Sequence, residues 1–385
     1  MNIAIDLTAT PKNKTGIGRY MLGLLVGLQR QSDDNEYYLF LHNDDLDGFA
    51  ITNERFHLVP VHSRILRHTW IRVLWEQFVF PWRLRKKKID VLHCPNFTMP
   101  YLIRLISRRT AVVGTFHDMT YFFLPEYHVA WKRELFKMYI KLTSRWADQL
   151  ITISQNSKKD IPRYCKPKNK EIAVTYMGVE QAFFSHEKPA PSLLSSFGIE
   201  GEYILYIGTL EPRKNVPGLI KAYSLLDEET IAKTQLVICG KKGWLFDEIF
   251  ASIPADLVTR NRIIFTGYVN DEEMVPLLAG ASTFAYVSFY EGFGIPVIEG
   301  LASGVPTVTS KGSSLEEVAG EYAFVSDPNQ PEDIRNKLIA ALSLTPKERE
   351  ERAKKGVEHA RQFSWDACAE ATIRAYEDAM EAKKK

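Results

Sequence analysis

Ser288–Gly312, SFYEGFGIPVIEGLASGVPTVTSKG, decides how this 385-residue chain is read. Phe284–Ser288 is a short apolar run that ends a strand. Tyr290–Gly294 is a glycine-bearing loop. Pro296 takes the first helical position, where its missing N–H costs nothing. Val297–Ala302 supplies a short helix, which Gly304 and Pro306 stop, and Pro306–Thr309 opens the next strand. The N–H groups of Gly292, Phe293 and Gly294 lie at the helix N-terminus, a natural anion site. Glu291 in the loop and Glu299 about one turn into the helix bracket it. A carboxylate accepts two hydroxyls, so the pair suits a polyol such as a sugar or ribose, and the anion site suits a phosphate. Together they point to a sugar nucleotide. The spacing alone equally fits an ordinary α/β corner with two surface glutamates.

Outward from this corner, strands alternate with helices. Ile3–Leu7, Tyr37–His42, Phe56–Val61, Val91–Cys94, Ala111–Phe116, Leu150–Ser154 and Ile172–Tyr176 read as strands. Gly16–Arg30, His68–Arg85, Val129–Trp146 and Asn156–Tyr164 read as helices between them. A Pro/Ser-rich connector at Glu187–Ser196 interrupts the pattern. Alternation restarts with strands at Tyr203–Ile207, Leu236–Cys239, Ile263–Thr266, Phe284–Ser288, Pro306–Thr309 and Ala323–Val325. Continuous apolar strands between helices indicate buried, mainly parallel sheets. Two α/β blocks follow, and Ser364 caps a final helix.

Three further motifs fall at strand ends. Gly208–Asn215, GTLEPRKN, sets Arg213 and Lys214 before a helix. An Arg fork beside a Lys point charge makes a diphosphate clamp, and open α/β sheets bind ligands at such strand ends. The alternative is two solvated surface cations. His117-Asp118 ends the strand Ala111–Phe116, where a lone histidine is more often structural. Thr15–Arg19, TGIGR, follows the first strand, and its glycines let backbone approach a ligand. It lacks the third glycine of a dinucleotide fingerprint.

Glu291-Gly-Phe-Gly-Ile-Pro-x-x-Glu299 resembles the E-x7-E signature of retaining glycosyltransferase family 4, whose members have the GT-B fold. GTLEPRKN, His117-Asp118 and the Gly16–Gly18 loop resemble the same family in the same order, so the match covers most of the chain. The resemblance implies an α/β protein with two Rossmann-like α/β/α domains facing a central cleft and a C-terminal helix returning to the N-terminal domain. Residues 1–187 are then the acceptor-side domain, 197–363 the nucleotide-sugar-binding domain and 364–385 the returning helix. It further implies that Arg213 and Lys214 bind the diphosphate, Glu291 holds donor-sugar hydroxyls and Glu299 holds the ribose. Tyr268 and Val269 resemble the family's base-contacting segment. Gly16 and Gly18 lie across the cleft from the diphosphate, with Gly292, Phe293 and Gly294 beside it. His117 lies by the transferred sugar, near its 6-position, and Asp118 orients the acceptor or His117. The resemblance also implies that anomeric configuration is retained and that the leaving phosphate helps remove the acceptor proton.

The segments GTLEPRKN, EGFGIPVIEGLASG and SSLEEV look most like bacterial mannosyltransferases that build surface polysaccharides or glycolipids. That favours GDP-mannose, with UDP-glucose or a UDP-N-acetylhexosamine open. The resemblance implies no cofactor beyond the nucleoside diphosphate sugar, and no obligatory metal. The rivals are a UDP-sugar epimerase of the same fold and a silent sugar-nucleotide-binding subunit. Intact Glu291, Glu299, Arg213, Lys214 and His117 argue against the silent subunit. Ser313, Ser314 and Glu317 are at most pocket wall.

Composition is that of an ordinary globular protein. The chain is 45% hydrophobic, enough for a core in each of two or three domains. A formal net charge of +2 argues for no particular partner, and no nucleic acid is expected. The four cysteines are far apart, without metal-ligand spacing, which fits a reducing compartment. MNIAIDLTAT reads as a first strand rather than a signal peptide. No run reaches the ~18 apolar residues a spanning helix needs. Cytoplasmic placement is expected, at the inner face of the membrane if the segment 63–88 binds it. That segment, SRILRHTWIRVLWEQFVFPWRLRKKK, mixes Trp, Phe and Leu with many basic residues and a single acid, Glu76. It suits an anionic membrane surface and a sugar or lipid-linked acceptor. The alternative is a domain helix with solvated cations. Asp45-Leu46-Asp47 matches a metal–diphosphate motif by letters, but its polar context reads as a solvated turn.

Overall fold

The computed structural model describes residues 1–10, 16–62, 66–125, 129–243, 254, 257 and 260–384. Thr15 of the glycine loop and residues 63–65 of the basic segment lie outside the described residues. The chain divides into two compact units, Met1–Gly178 with Ser364–Lys385, and Val179–Phe363. The division falls just ahead of the 3-10 turn Gln181–Phe184, earlier than the connector. Within the connector, Pro191 opens a short helix, Pro191–Ser196.

The first unit is built on β1 (Asn2–Asp6), β2 (Glu36–His42), β3 (Phe56–Val61), β4 (Val91–Cys94), β5 (Ala111–Phe116), β6 (Gln149–Thr152) and β7 (Ala173–Val174). Their order is β3-β2-β1-β4-β5-β6-β7, and every pair is parallel. Ile3, Ala4, Ile5, Val91, Leu92 and Ala111–Val113 are fully buried. Cover on both faces is why these strands read as unbroken apolar runs. The expected Ile172–Tyr176 strand contracts to β7, because only Ile151 and Thr152 of β6 remain to pair with it at the sheet edge.

Helices α1 (Ile17–Arg30), α2 (Thr69–Phe78), α3 (Phe80–Lys86) and α4 (Ala130–Trp146) belong to this unit. The single helix expected over His68–Arg85 is broken at Val79 into α2 and α3. Pro81 lacks the N–H that would answer the Gln77 carbonyl, so the ladder cannot run through.

The second unit carries β8 (Glu202–Ile207), β9 (Thr234–Cys239), β10 (Ile263–Gly267), β11 (Thr283–Tyr286), β12 (Thr307–Ser310) and β13 (Phe324–Ser326). The order is β10-β9-β8-β11-β12-β13, again all parallel. Helices α5 (Val216–Ser224), α6 (Ile295–Ala302) and α7 (Ser314–Ala319) follow β8, β11 and β12. Pro296 is the second residue of α6 rather than the first. That position also lacks an intrahelical acceptor, so the missing N–H remains harmless.

The last helix, α8 (Trp365–Lys384), packs in the first unit against α1. The α1 face that receives it is made of glycines. A Cβ on Gly23 would lie 2.0 Å from the Trp365 ring, and one on Gly27 would lie 2.1 Å from the Trp365 carbonyl oxygen. Tyr376 of α8 reaches under the sheet, with its hydroxyl 2.8 Å from Nδ1 of His93.

Candidate active site

In each sheet the strand order reverses once, and the crevice at such a point, beyond the strand C-termini, is where open α/β sheets bind ligands. In the second unit the reversal lies between β8 and β11. The chain leaving β8 reaches the 3-10 turn Pro212–Lys214 and then Asn215, left-handed at φ 55° and ψ 35°. Asn is among the few residues that tolerate this conformation. Its buried side chain also pins the turn, donating to the carbonyls of Val287 (3.1 Å) and Pro328 (2.7 Å). The chain leaving β11 runs through Glu291 to Gly294, whose φ of 106° turns it into α6. Phe289 N–H donates to the Arg213 carbonyl at 3.0 Å and joins the two turns.

Three of the expected site residues touch there. Arg213 Nη1 donates to Glu291 Oε2 at 2.8 Å and to the Tyr290 carbonyl at 2.9 Å, and Nη2 donates to Glu211 Oε1 at 2.9 Å. Lys214 Nζ lies 2.6 Å from Glu291 Oε1 and 2.6 Å from the Tyr286 hydroxyl. The Tyr286 hydroxyl also donates to Glu291 Oε1 at 3.0 Å. Two cations and the two carboxylates of Glu211 and Glu291 make a formally neutral, largely buried cluster. Burial alone would raise the Glu291 carboxyl, but Arg213 and Lys214 outweigh it and hold it at about 2. Burial pulls Lys214 down, only partly offset by Glu291. The cations are therefore not the solvated surface pair that the letters allow. They are desolvated and face a carboxylate that an incoming anion would have to displace.

The loop carrying Glu291 is held from behind. Ser314 Oγ lies 2.7 Å from the Glu291 carbonyl oxygen and 2.9 Å from that of Phe293. Ser314 is thus a support for the loop rather than pocket wall, and Ser313 caps α7. Phe293 is buried, its ring edge-on to Phe363. A Cβ on Gly294 would meet Leu315 at 2.3 Å, so Gly292–Gly294 pass close over α7. Glu299 is buried about one turn into α6. Beyond β10, Tyr268 is 61% exposed, with Lys241 Nζ over its ring at 4.2 Å, while Val269 is buried.

The remaining expected residues belong to the first unit. His117 follows β5 and is buried. Its Nε2 donates to the Pro95 carbonyl at 2.8 Å, and its ring meets Tyr20 edge-on at 5.0 Å. Burial lowers its pKa, so the ring is neutral at pH 7, with its proton on Nε2. Asp118 does not orient His117 through a hydrogen bond. Its Oδ1 accepts from Thr120 N (3.0 Å) and Thr120 Oγ1 (2.7 Å), which begins the turn Thr120–Phe123. Gly16, at φ 54°, opens α1, and Gly18 is buried in its first turn. Asp45 is buried ahead of the turn Leu46–Gly48, not solvated as expected.

Residues 14–183 match the model described as Glycosyltransferase Family 4, and residues 196–360 match Glycosyl transferases group 1. The chain is 34% identical over 373 residues to O-antigen chain mannosyltransferase B of Escherichia coli, covering 94% of this chain and 96% of that protein. The protein is a family 4 glycosyltransferase. This glycosyltransferase is also 23% identical over 337 residues to O-antigen chain mannosyltransferase RfbU of Salmonella typhimurium, covering 84% and 86% of the two chains. Among solved structures, Anabaena Alr3699/HepE in complex with UDP and glucose superposes with a TM-score of 0.73 at 16% identity, covering 97% and 98%. The fold is GT-B.

Reading the sequence missed Glu211, Tyr286, Asn215 and Ser314 as parts of the cluster. Glu211 and Asn215 stand inside the quoted GTLEPRKN and were within reach. Tyr286 was not, because a tyrosine ending an apolar strand carries no sign of a polar partner.

Proposed function

We propose that this glycosyltransferase moves mannose from GDP-mannose to a hydroxyl of a growing surface polysaccharide or glycolipid, with retention of anomeric configuration. The meeting of Arg213, Lys214 and Glu291 at the reversal point of the second sheet carries the reading. As the donor's anomeric C–O bond breaks, its electron pair passes to the β-phosphate oxygen. Arg213 and Lys214 meet that charge as preorganised countercharges, so no resident metal is required. Glu291, released from the cations as the diphosphate takes them, accepts sugar hydroxyls, and Glu299 accepts those of the ribose. The acceptor oxygen bonds to the anomeric carbon on the face the phosphate leaves, and its proton passes to the departing phosphate oxygen. Neutral His117 offers Nδ1 as an acceptor to the transferred sugar. The mannosyltransferase names of the 34% and 23% identical relatives favour the sugar.

We also place the enzyme's working surface at an anionic membrane. Leu74, Phe78 and Trp82, one turn apart along α2 and α3, are 58%, 60% and 56% exposed. Arg83, Arg85 and Lys86–Lys88 are exposed beside them. Apolar side chains left in water next to cations suit headgroups above an acyl layer. No helix among the described residues is long and apolar enough to cross a membrane.

The test incubates the protein with GDP-mannose, or with UDP-hexoses as comparators, and a lipid-linked or free mannoside acceptor. Proton NMR then reads the new linkage. An α-mannoside from GDP-mannose is expected. Turnover of a UDP-sugar alone, of donor without acceptor, or of no donor would overturn the assignment.

A further inference from the structure

Tyr286 is the last residue of β11, one of the two strands that flank the reversal of order in the second unit. It is 2% exposed, and its ring lies nearly parallel to that of Tyr206 on β8, with centroids 5.9 Å apart. A buried tyrosine needs a partner for its hydroxyl, a demand that an apolar side chain in the same space would not make. Here both partners are charged. Lys214 Nζ lies 2.6 Å from the hydroxyl oxygen, and Glu291 Oε1 lies 3.0 Å from it. An ammonium only donates and an ionised carboxylate only accepts. The hydroxyl therefore accepts from Lys214 and aims its one proton at Glu291 Oε1. Lys214 Nζ is 2.6 Å from the same carboxylate oxygen, so an O–H and an N–H converge on one point.

We propose that Tyr286 is a further catalytic residue, whose hydroxyl donates to the departing diphosphate oxygen that takes the place of Glu291 Oε1. The inference rests on the glycosyl-transfer reading above. A phosphate oxygen that replaces Glu291 Oε1 on Lys214 also meets the Tyr286 O–H, because the stacked ring holds that proton in place. As the anomeric C–O bond breaks, its electron pair adds charge to the phosphate oxygen, and the hydrogen bond strengthens. A donor that gains strength as charge develops lowers the barrier rather than tightening substrate binding. Tyr286 gives up no proton. The acceptor's proton passes to the departing phosphate, and the hydroxyl stays a donor throughout. Burial, reinforced by Glu291 and Tyr206, pushes its pKa far above the ordinary tyrosine value, so it remains protonated beside Lys214. Phenylalanine would stack on Tyr206 in the same way and leave Lys214 paired with Glu291. The hydroxyl, not the ring, is therefore the part that acts.

Tyr286→Phe tests this, with Tyr206→Phe as its control, since the Tyr206 hydroxyl points instead to the Thr209 carbonyl at 3.4 Å. Calorimetry with GDP, UDP, GDP-mannose and UDP-glucose needs neither acceptor nor turnover. Tyr286→Phe should lose roughly fivefold or more affinity for the diphosphate beyond its loss for the matching sugar nucleotide, because only the free diphosphate carries the full charge of the departed group. Any easier displacement of Glu291 in the variant acts on both ligands and cancels in that ratio. In the transfer assay kcat should fall at least about tenfold, toward the roughly 10²–10³-fold cost of removing one oxyanion donor, while donor KM stays near that of the wild type. Tyr206→Phe should change neither. Equal losses for diphosphate and sugar nucleotide, or a raised KM at unchanged kcat, would mark Tyr286 as a mere prop for Lys214 and overturn its role. A wild type that binds neither GDP nor UDP would overturn the diphosphate reading itself. One that binds a diphosphate but moves no sugar would overturn the transferase reading, and the affinity ratio would still decide whether Tyr286 answers the diphosphate's charge.

Discussion

Glu291→Gln should destabilise the ligand-free protein and tighten its hold on a nucleoside diphosphate. The substitution keeps the side-chain shape and removes its charge. In the free protein the carboxylate lies 2.8 Å from Arg213 and 2.6 Å from Lys214, and they hold its pKa at about 2 against an ordinary 4.5. At about 1.4 kcal/mol per unit, that difference is roughly 3 kcal/mol of stability at neutral pH. Removing one partner of a buried pair typically costs a similar amount, about 3–5 kcal/mol. Nucleotide binding moves the other way. A diphosphate that takes Arg213 and Lys214 must first displace Glu291, and glutamine competes with no charge. At an effective dielectric of about 20, a pair at ~4 Å is worth about 4 kcal/mol before desolvation. A net gain of about 1–2 kcal/mol, roughly tenfold in affinity, follows. Thermal melts without nucleotide and calorimetric titration with GDP and UDP read the two effects. The expected variant melts several degrees lower, binds the diphosphate tighter and loses sugar transfer. Affinity that falls together with stability would refute the displaced-carboxylate argument.

The Glu291 contribution is present above pH 4.5 and is lost as pH falls toward about 2; acid-unfolding curves should therefore be flatter for Glu291→Gln in that window, and parallel curves would count against the pairing. Gly23→Ala places a methyl group inside the Trp365 ring and should cost about 1–3 kcal/mol in chemical denaturation, with α8 becoming open to limited proteolysis. Replacing Arg83, Arg85 and Lys86–Lys88 by glutamine should reduce sedimentation with anionic liposomes, and unchanged sedimentation would end the membrane assignment.

The sheets were legible because parallel strands covered on both faces are unbroken apolar runs. Val91–Cys94 and Ala111–Phe116 are buried throughout and end where those runs end, whereas the edge strand Phe56–Val61 is half-exposed and was legible from its length and its apolar ends. The site's location was legible for a topological reason, since Arg213 and Glu291 follow the two strands that flank a reversal of order. Its electrostatic state was not. The ion pairs join residues 77 and 78 positions apart, and spacing along a chain does not say whether two cations face solvent or a carboxylate. The break at Val79 was readable from Pro81, but the strong apolar and basic pattern on both sides masked it.

The central claim is that two largely buried cations, Arg213 and Lys214, receive a diphosphate. Titrating GDP, UDP, GMP and UMP into the wild type and into Arg213→Ala and Lys214→Ala tests it most directly. One diphosphate should bind the wild type and lose at least tenfold in each variant, while its monophosphate, which lacks the second phosphate, changes little. Diphosphate affinity equal to wild type in both variants would contradict the account.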